Sequence, residues 1–111
     1  MPNSSSRPRP DVVAVQPESL ILRAVRRELE RAGWFVLRQQ QGLGSVKGVA
    51  DLVALRDGRT VWLEIKTATG RQTPDQVVFE TAIVRHGGEY RVVRCVDDLA
   101  LAGMVDCLPL A

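Results

Sequence analysis

Two acidic residues and a lysine set the chemistry this chain can do. Folding the stretch from Asp51 to Lys66 as a hairpin about Asp57-Gly58 pairs Arg56 with Arg59, Leu55 with Thr60, Val53 with Trp62 and Asp51 with Glu64. Asp-Gly between two apolar runs is the strongest short-range signal for a two-residue hairpin turn. Cross-strand partners hold their Cβ atoms about 4.5 to 5.5 Å apart, where like charges repel. Facing carboxylates are therefore a liability that a divalent cation between them removes. Their hard oxygens suit Mg²⁺ or Mn²⁺ and, without His or Cys, suit zinc poorly. Lys66 shares the face of Glu64. A metal held there can polarise a phosphodiester oxygen, with Lys66 positioning a water and stabilising charge at the phosphate.

Other chemistries lack their parts. His86 is the single histidine and stands beside Gly87-Gly88, so neither a zinc cluster nor a Ser-His-Asp triad can be assembled. It reads as a helix C-terminal cap. Cys95 and Cys107 follow no metal-ligand spacing and read as reduced, passive thiols. Lys47 and Lys66 are the only lysines among fifteen basic residues, and both fall near the carboxylate pair. An ammonium suits charge placement better than a guanidinium does.

The bulk of the chain leaves room for little else. Its 111 residues allow one domain. Residues 1–13 are rich in Pro and Ser without apolar periodicity and read as a flexible arm, leaving 14–111 as a single domain. A formal charge of +2 is too small to argue for nucleic acid by itself. Arg7 and Arg9 load the arm, and Arg23, Arg26, Arg27 and Arg31 load one helix. No apolar run is long enough for a membrane span and no signal-peptide core opens the chain, so the expectation is a cytosolic protein.

The elements that must position the carboxylates follow from periodicity. Ile21, Leu22, Val25, Leu29 and Ala32 make one helical stripe between Pro17, read as the first helical position, and Gly33. Glu18 falls in that stripe, which turns its side toward the sheet. Residues 34–38 read as a strand, and the glycine-containing loop 39–48 reads as flexible or ligand-facing. The hairpin strands are expected at 50–56 and 59–66, with apolar residues on both faces and hence helices over both. Thr73, Pro74 and Gln76 match a capping box opening a second helix that ends at Gly87-Gly88. A strand over 90–96 follows, then a short helix capped by Asp97-Asp98 and reaching about Met104. The fold class is α/β, a mixed sheet flanked by helices in the order helix, three strands, helix, strand, helix.

Glu18, Gly48-Val-Ala-Asp51, Glu64-Ile-Lys66 and Thr73-Pro-Asp-Gln76 together resemble the VRR-NUC (virus-type replication-repair nuclease) domain of the PD-(D/E)xK nuclease superfamily. The resemblance runs from about residue 17 to 98. Asp51 stands thirteen residues before Glu64 and Gln76 ten after Lys66, a set far more specific than the Glu-x-Lys triplet alone. Ala50 stands where members often have proline, a residue that shapes backbone and binds no metal. The resemblance implies a restriction-endonuclease-like core and a Mg²⁺- or Mn²⁺-dependent DNA endonuclease leaving a 5′-phosphate and a 3′-hydroxyl. It implies Asp51, Glu64 and the Ile65 carbonyl as metal ligands, and Glu18 as holding a second metal directly or through water. Lys66 would be catalytic, and Gln76 would orient Lys66 or a phosphate oxygen. Ser19, Gln41, Ser45 and Lys47 are weaker candidates for DNA contacts. Stand-alone domains of this kind look like homodimers that cut branched DNA such as four-way junctions.

Plainer readings exist for each part. Asp51 can simply begin a strand, Glu18 can serve the helix dipole, and Gln76 is fully explained by the capping box. Glu64 and Lys66 can be a solvent-facing ion pair worth under about 1 kcal/mol. The rival functions are a DNA-binding module without turnover and a nuclease subunit that needs partner proteins.

Overall fold

The computed structural model describes residues 15–40 and 46–106. Its elements are α1 (Glu18–Arg31), β1 (Phe35–Arg38), β2 (Leu52–Arg56), β3 (Arg59–Ile65), α2 (Pro74–Arg85), β4 (Glu89–Val93) and α3 (Asp97–Leu101). The strands form one sheet in the order β1-β2-β3-β4, antiparallel except for the parallel β3–β4 pair. The mixed α/β class and the element order are those expected. The expected arm, residues 1–13, lies outside the described residues.

The hairpin has the expected register. Arg56 opposes Arg59, Val53 opposes Trp62 and Leu52 opposes Leu63. Asp57 (φ 49) and Gly58 (φ 82) are both left-handed, as a type I′ turn requires. That turn matches strand twist and fixes which side chains share a face. Asp51, Val53, Leu55, Trp62 and Glu64 therefore lie on one face, and Leu52, Ala54, Val61, Leu63 and Ile65 on the other.

The second face is the core. Ile21, Val25 and Leu29 of α1 pack on Val36, Leu52, Ala54, Val61, Leu63, Ile65 and Val93, with Leu99 and Met104 closing the layer. Full burial of a side chain such as Leu29 or Leu63 contributes about 1.5–3 kcal/mol. Trp34 stands just outside β1, its indole Nε1 donating to the Met104 carbonyl at 2.7 Å. Arg59 ties the same corner together. It donates to both carboxylate oxygens of Glu89 (2.9 and 2.7 Å) and to the carbonyls of Ala102 and Gly103, and it lies 5.6 Å from the Trp34 ring. The guanidinium's hydrogen bonds hold Glu89 below the usual glutamate range.

Several expectations shift. Pro17 is the N-cap of α1 in extended conformation, one residue before the first helical position. The N-cap of α3 is Val96, with no side-chain cap; the Asp98 carboxylate instead accepts from the N–H groups of Arg94 and Cys95 in the segment before the helix, and the helix stops at Leu101. Strand β4 ends at Val93, which leaves Cys95 exposed. Helices do not cover both faces evenly. Helix α2 lies over β4 and the edge of β3, where Phe79 meets Trp62 and Tyr90 at 5.4 and 6.2 Å between ring centroids. Over β1 and β2 the same face is open, with Phe35, Leu37 and Leu55 exposed. No helix among the described residues is long and apolar enough to cross a membrane.

Candidate active site

At the end of the sheet away from the hairpin turn, polar side chains collect on the α2 face. Asp51 lies one residue before β2, where the backbone still pairs: its carbonyl accepts from the Gln39 N–H at 2.8 Å. One further step of the β2–β3 register sets it opposite Glu64. Its Oδ2 accepts from the Ile65 N–H at 2.7 Å, which fixes the carboxylate against β3. A cleft of about 490 Å³ opens beside it, lined by Arg38, Gln39, Gln40 and Asp51.

Glu64 is the unusual member. Its side chain is 1% exposed, yet it carries a carboxylate. Oε1 accepts from the Tyr90 hydroxyl and, at 3.2 Å, from the Gln72 amide. Oε2 is buried and has no hydrogen-bond partner. Its nearest opposite charge is Lys66 Nζ at 4.0 Å, itself largely buried. A buried acceptor left without a donor costs about 1–3 kcal/mol, and more for a charged group. Such a cost marks a position where a ligand is expected.

Around Glu64, Gln72 Nε2 also donates to Glu80 Oε1 of α2 at 2.9 Å. Burial first, and then the hydrogen bond to Glu64 and its charge, push the Tyr90 hydroxyl far above the ordinary tyrosine value. Arg94 pins the loop after Lys66 by donating to the carbonyls of Thr67 and Gly70 at 2.6 and 2.7 Å. The Lys66 N–H donates to the Val93 carbonyl, which holds the lysine's backbone in the β3–β4 ladder.

Asp51, Glu64, Ile65 and Lys66 thus meet at one end of β3. The other candidates stand differently. Gln76 completes the capping box, its Oε1 accepting from the Thr73 N–H at 2.8 Å while its own N–H donates to Thr73 Oγ1 at 3.2 Å. It touches the turn before Asp51: a Cβ on Gly48 (φ +73) would lie 2.3 Å from the Asp75 carbonyl and 2.6 Å from the Gln76 nitrogen. Only glycine fits there, so this contact fixes the turn against the start of α2. Lys47 is exposed on that turn. Glu18, expected to turn toward the sheet, is instead exposed with Ser19 at the start of α1, whose buried stripe begins only at Ile21, on the opposite face of the sheet. Gln41 and Ser45 lie outside the described residues.

Among the described residues no three His, Cys, Asp or Glu side chains group to hold a metal ion. Asp51 and Glu64 stand opposite each other one register step beyond Leu52 and Leu63, so two carboxylates belong to this end of the sheet. Their chemistry, and the orphaned Oε2 of Glu64, fit a hard divalent cation.

Sequence reasoning missed Tyr90, Gln72 and Glu80. The parallel pairing of Trp62 with Tyr90 places the tyrosine on the Glu64 face, but a single strand sequence does not disclose its partner. Gln72 sits in a loop with no motif to flag it.

No family model matches the chain, and no curated protein matches it. Among solved structures, one described as "VRR_NUC domain" aligns with a TM-score of 0.66 at 20% sequence identity, covering 77% of this chain and 94% of that one. At that identity the likeness is one of architecture. The sheet order, the flanking helices and the hairpin carrying Asp51 and Glu64 therefore belong to a chain with the VRR_NUC fold.

Proposed function

We propose that this protein is a Mg²⁺- or Mn²⁺-dependent endonuclease that hydrolyses phosphodiester bonds in DNA. The observation that carries the reading is the buried Glu64 Oε2, free of any hydrogen bond, on a chain with a nuclease-type fold. Asp51, Glu64 and the Ile65 carbonyl would hold the cation, which when bound supplies Lewis-acid polarisation of the scissile phosphate. Everything else is done by the chain. Lys66 is held by its ladder hydrogen bond and its pairing to Glu64, so its ammonium stands ready to orient a water and to offset charge developing on phosphate oxygens. Arg38, Gln39 and Gln40, beside Asp51, offer donors to a strand backbone in the adjoining cleft.

Gln76 helps by holding the Lys47-Gly48 turn, and with it the entry to Asp51, against α2. Glu18 is further removed, on α1; its part is limited to a second cation or water at the rim of the site, once DNA is bound. Lys47, with Gln41 and Ser45, would touch DNA.

The reading extends to a homodimer acting on branched DNA. Two sites related by a two-fold axis suit a junction whose strands are similarly related. A second copy is the occupant this reading supplies for the uncovered strip of Phe35, Leu37 and Leu55. Trp62 is half-buried under Phe79 and offers less surface than they do. The apolar Leu108-Pro-Leu-Ala run is a second candidate for the dimer contact and lies outside the described residues.

The test is cleavage of labelled four-way junctions, flaps, nicked and linear duplexes with Mg²⁺, Mn²⁺ or EDTA, wild type beside Lys66→Ala. Metal-dependent cutting of branched substrates, lost in Lys66→Ala, is expected. Activity in EDTA, or unchanged activity without Lys66, overturns the mechanism.

A further inference from the structure

Glu64 has two carboxylate oxygens in opposite circumstances. Oε1 receives two donors, the Tyr90 hydroxyl and the Gln72 amide, whereas Oε2 receives none. The asymmetry is built from separate elements. Tyr90 comes from β4, paired in register beside Trp62, and its ring is held by Phe79 of α2. Gln72 comes from the loop ahead of α2 and is itself held by Glu80, one helical face further on. A carboxylate anchored at one oxygen by two donors cannot rotate to share them, so its second oxygen keeps a fixed direction.

We propose that Tyr90 and Gln72 are positioning residues that lock the Glu64 carboxylate so that Oε2 is presented to a divalent cation. Glu80 holds Gln72 in turn, which links α2 to the ligand through one amide. The inference rests on the metal-dependent reading and adds to it the residues that make Glu64 a competent ligand. Outer hydrogen-bond partners of metal ligands commonly set affinity by about 10–100-fold when removed. The alternative is that the Tyr90–Glu64 pair only stabilises the fold, in which case its loss would leave metal affinity alone.

The experiment measures Mn²⁺ binding by electron paramagnetic resonance, thermal unfolding, and the Mg²⁺ dependence of cleavage. The proteins are wild type, Glu64→Gln, Tyr90→Phe and Gln72→Met. Tyr90→Phe keeps the ring against Phe79, and Gln72→Met changes a loop position, so at least one variant is expected to fold. Wild type should bind Mn²⁺ in a manner abolished by Glu64→Gln. Tyr90→Phe and Gln72→Met should each weaken Mn²⁺ by about 10-fold or more. Half-maximal Mg²⁺ should rise in parallel, with kcat at saturating metal and KM for DNA changed only a few-fold. Mn²⁺ affinity within twofold of wild type in a folded variant would overturn the positioning role while leaving the metal reading intact. Absence of any Glu64-dependent Mn²⁺ site in wild type would overturn both.

Discussion

The two faces of the sheet are built to different rules. On the α1 face, Ile21, Val25 and Leu29 cover Leu52, Ala54, Val61 and Leu63, and the apolar side chains are almost wholly removed from water. On the α2 face, the helix itself has no buried residue, Phe35 is 63% exposed, and the most deeply buried side chain is the carboxylate of Glu64. One face is closed by apolar packing and supplies stability. The other keeps a costly buried acid, met by Tyr90, Gln72 and Lys66, and an open surface. Stability and function are therefore expected to be separable by substitution.

The sharpest break is Asp51→Asn. The asparagine oxygen can still accept from the Ile65 N–H, so the local structure keeps its 2.7 Å tie, while a charged donor is lost from the site. Cleavage at saturating Mg²⁺ should fall by about 10²–10³-fold with the unfolding midpoint almost unmoved. A large loss of stability with modest loss of turnover would show that Asp51 belongs to the scaffold.

Leu63→Ala is the mirror experiment. The side chain is completely buried under α1 on the face away from Glu64. Removing it should cost about 2–5 kcal/mol in denaturant unfolding. Below the unfolding transition, turnover per folded molecule should stay within a few-fold of wild type.

Much of this division was legible in the sequence, because hairpin register follows from two residues. Once Asp57-Gly58 makes a type I′ turn, strand alternation fixes that Asp51 and Glu64 share one face and Leu52 and Leu63 the other. The capping box at Thr73–Gln76 was legible for the same reason: it is local. What stayed hidden depends on pairings between distant segments. The donors to Glu64 come from β4 and from the loop before α2, and the contact of Gly48 with Asp75 joins a loop to the start of α2. Apolar residues on both faces of the hairpin suggested two covering layers. Periodicity could not show that α2 is set over β4, leaving Leu37 and Leu55 uncovered.

Tyr90 sharpens the comparison from the polar side, because it is the only tyrosine in the chain and its ionisation can be read without interference. Burial and the neighbouring Glu64 raise its pKa in the fold. A group whose folded pKa is raised contributes stability that is complete below the unfolded value and drains away as pH climbs. Tyrosinate absorbance should therefore be absent from the native protein as pH passes the ordinary tyrosine value of 10.0, and should appear together with loss of structure. A native-state tyrosinate signal near that ordinary value would mean that Tyr90 is not closed in against Glu64.

The smallest effect on the single chain is expected on the open strip. Phe35 and Leu55 oppose each other across β1 and β2 and are both exposed, so Phe35→Ser with Leu55→Ser removes little buried area. Substitutions at such positions shift stability by no more than about 0.5 kcal/mol. A monomer that needs no cover there should be indifferent to them. If a second copy covers the strip, the pair should instead convert dimer to monomer in sedimentation velocity at micromolar concentration. Junction cutting should fall with it, while unfolding of the isolated chain at high dilution stays unchanged. Unaltered sedimentation would place the dimer contact elsewhere and leave the strip as plain exposed surface. A fall in stability equal to that of Leu63→Ala would mean that this face is closed within the monomer after all, and that the two sides of the sheet do not differ as the geometry indicates.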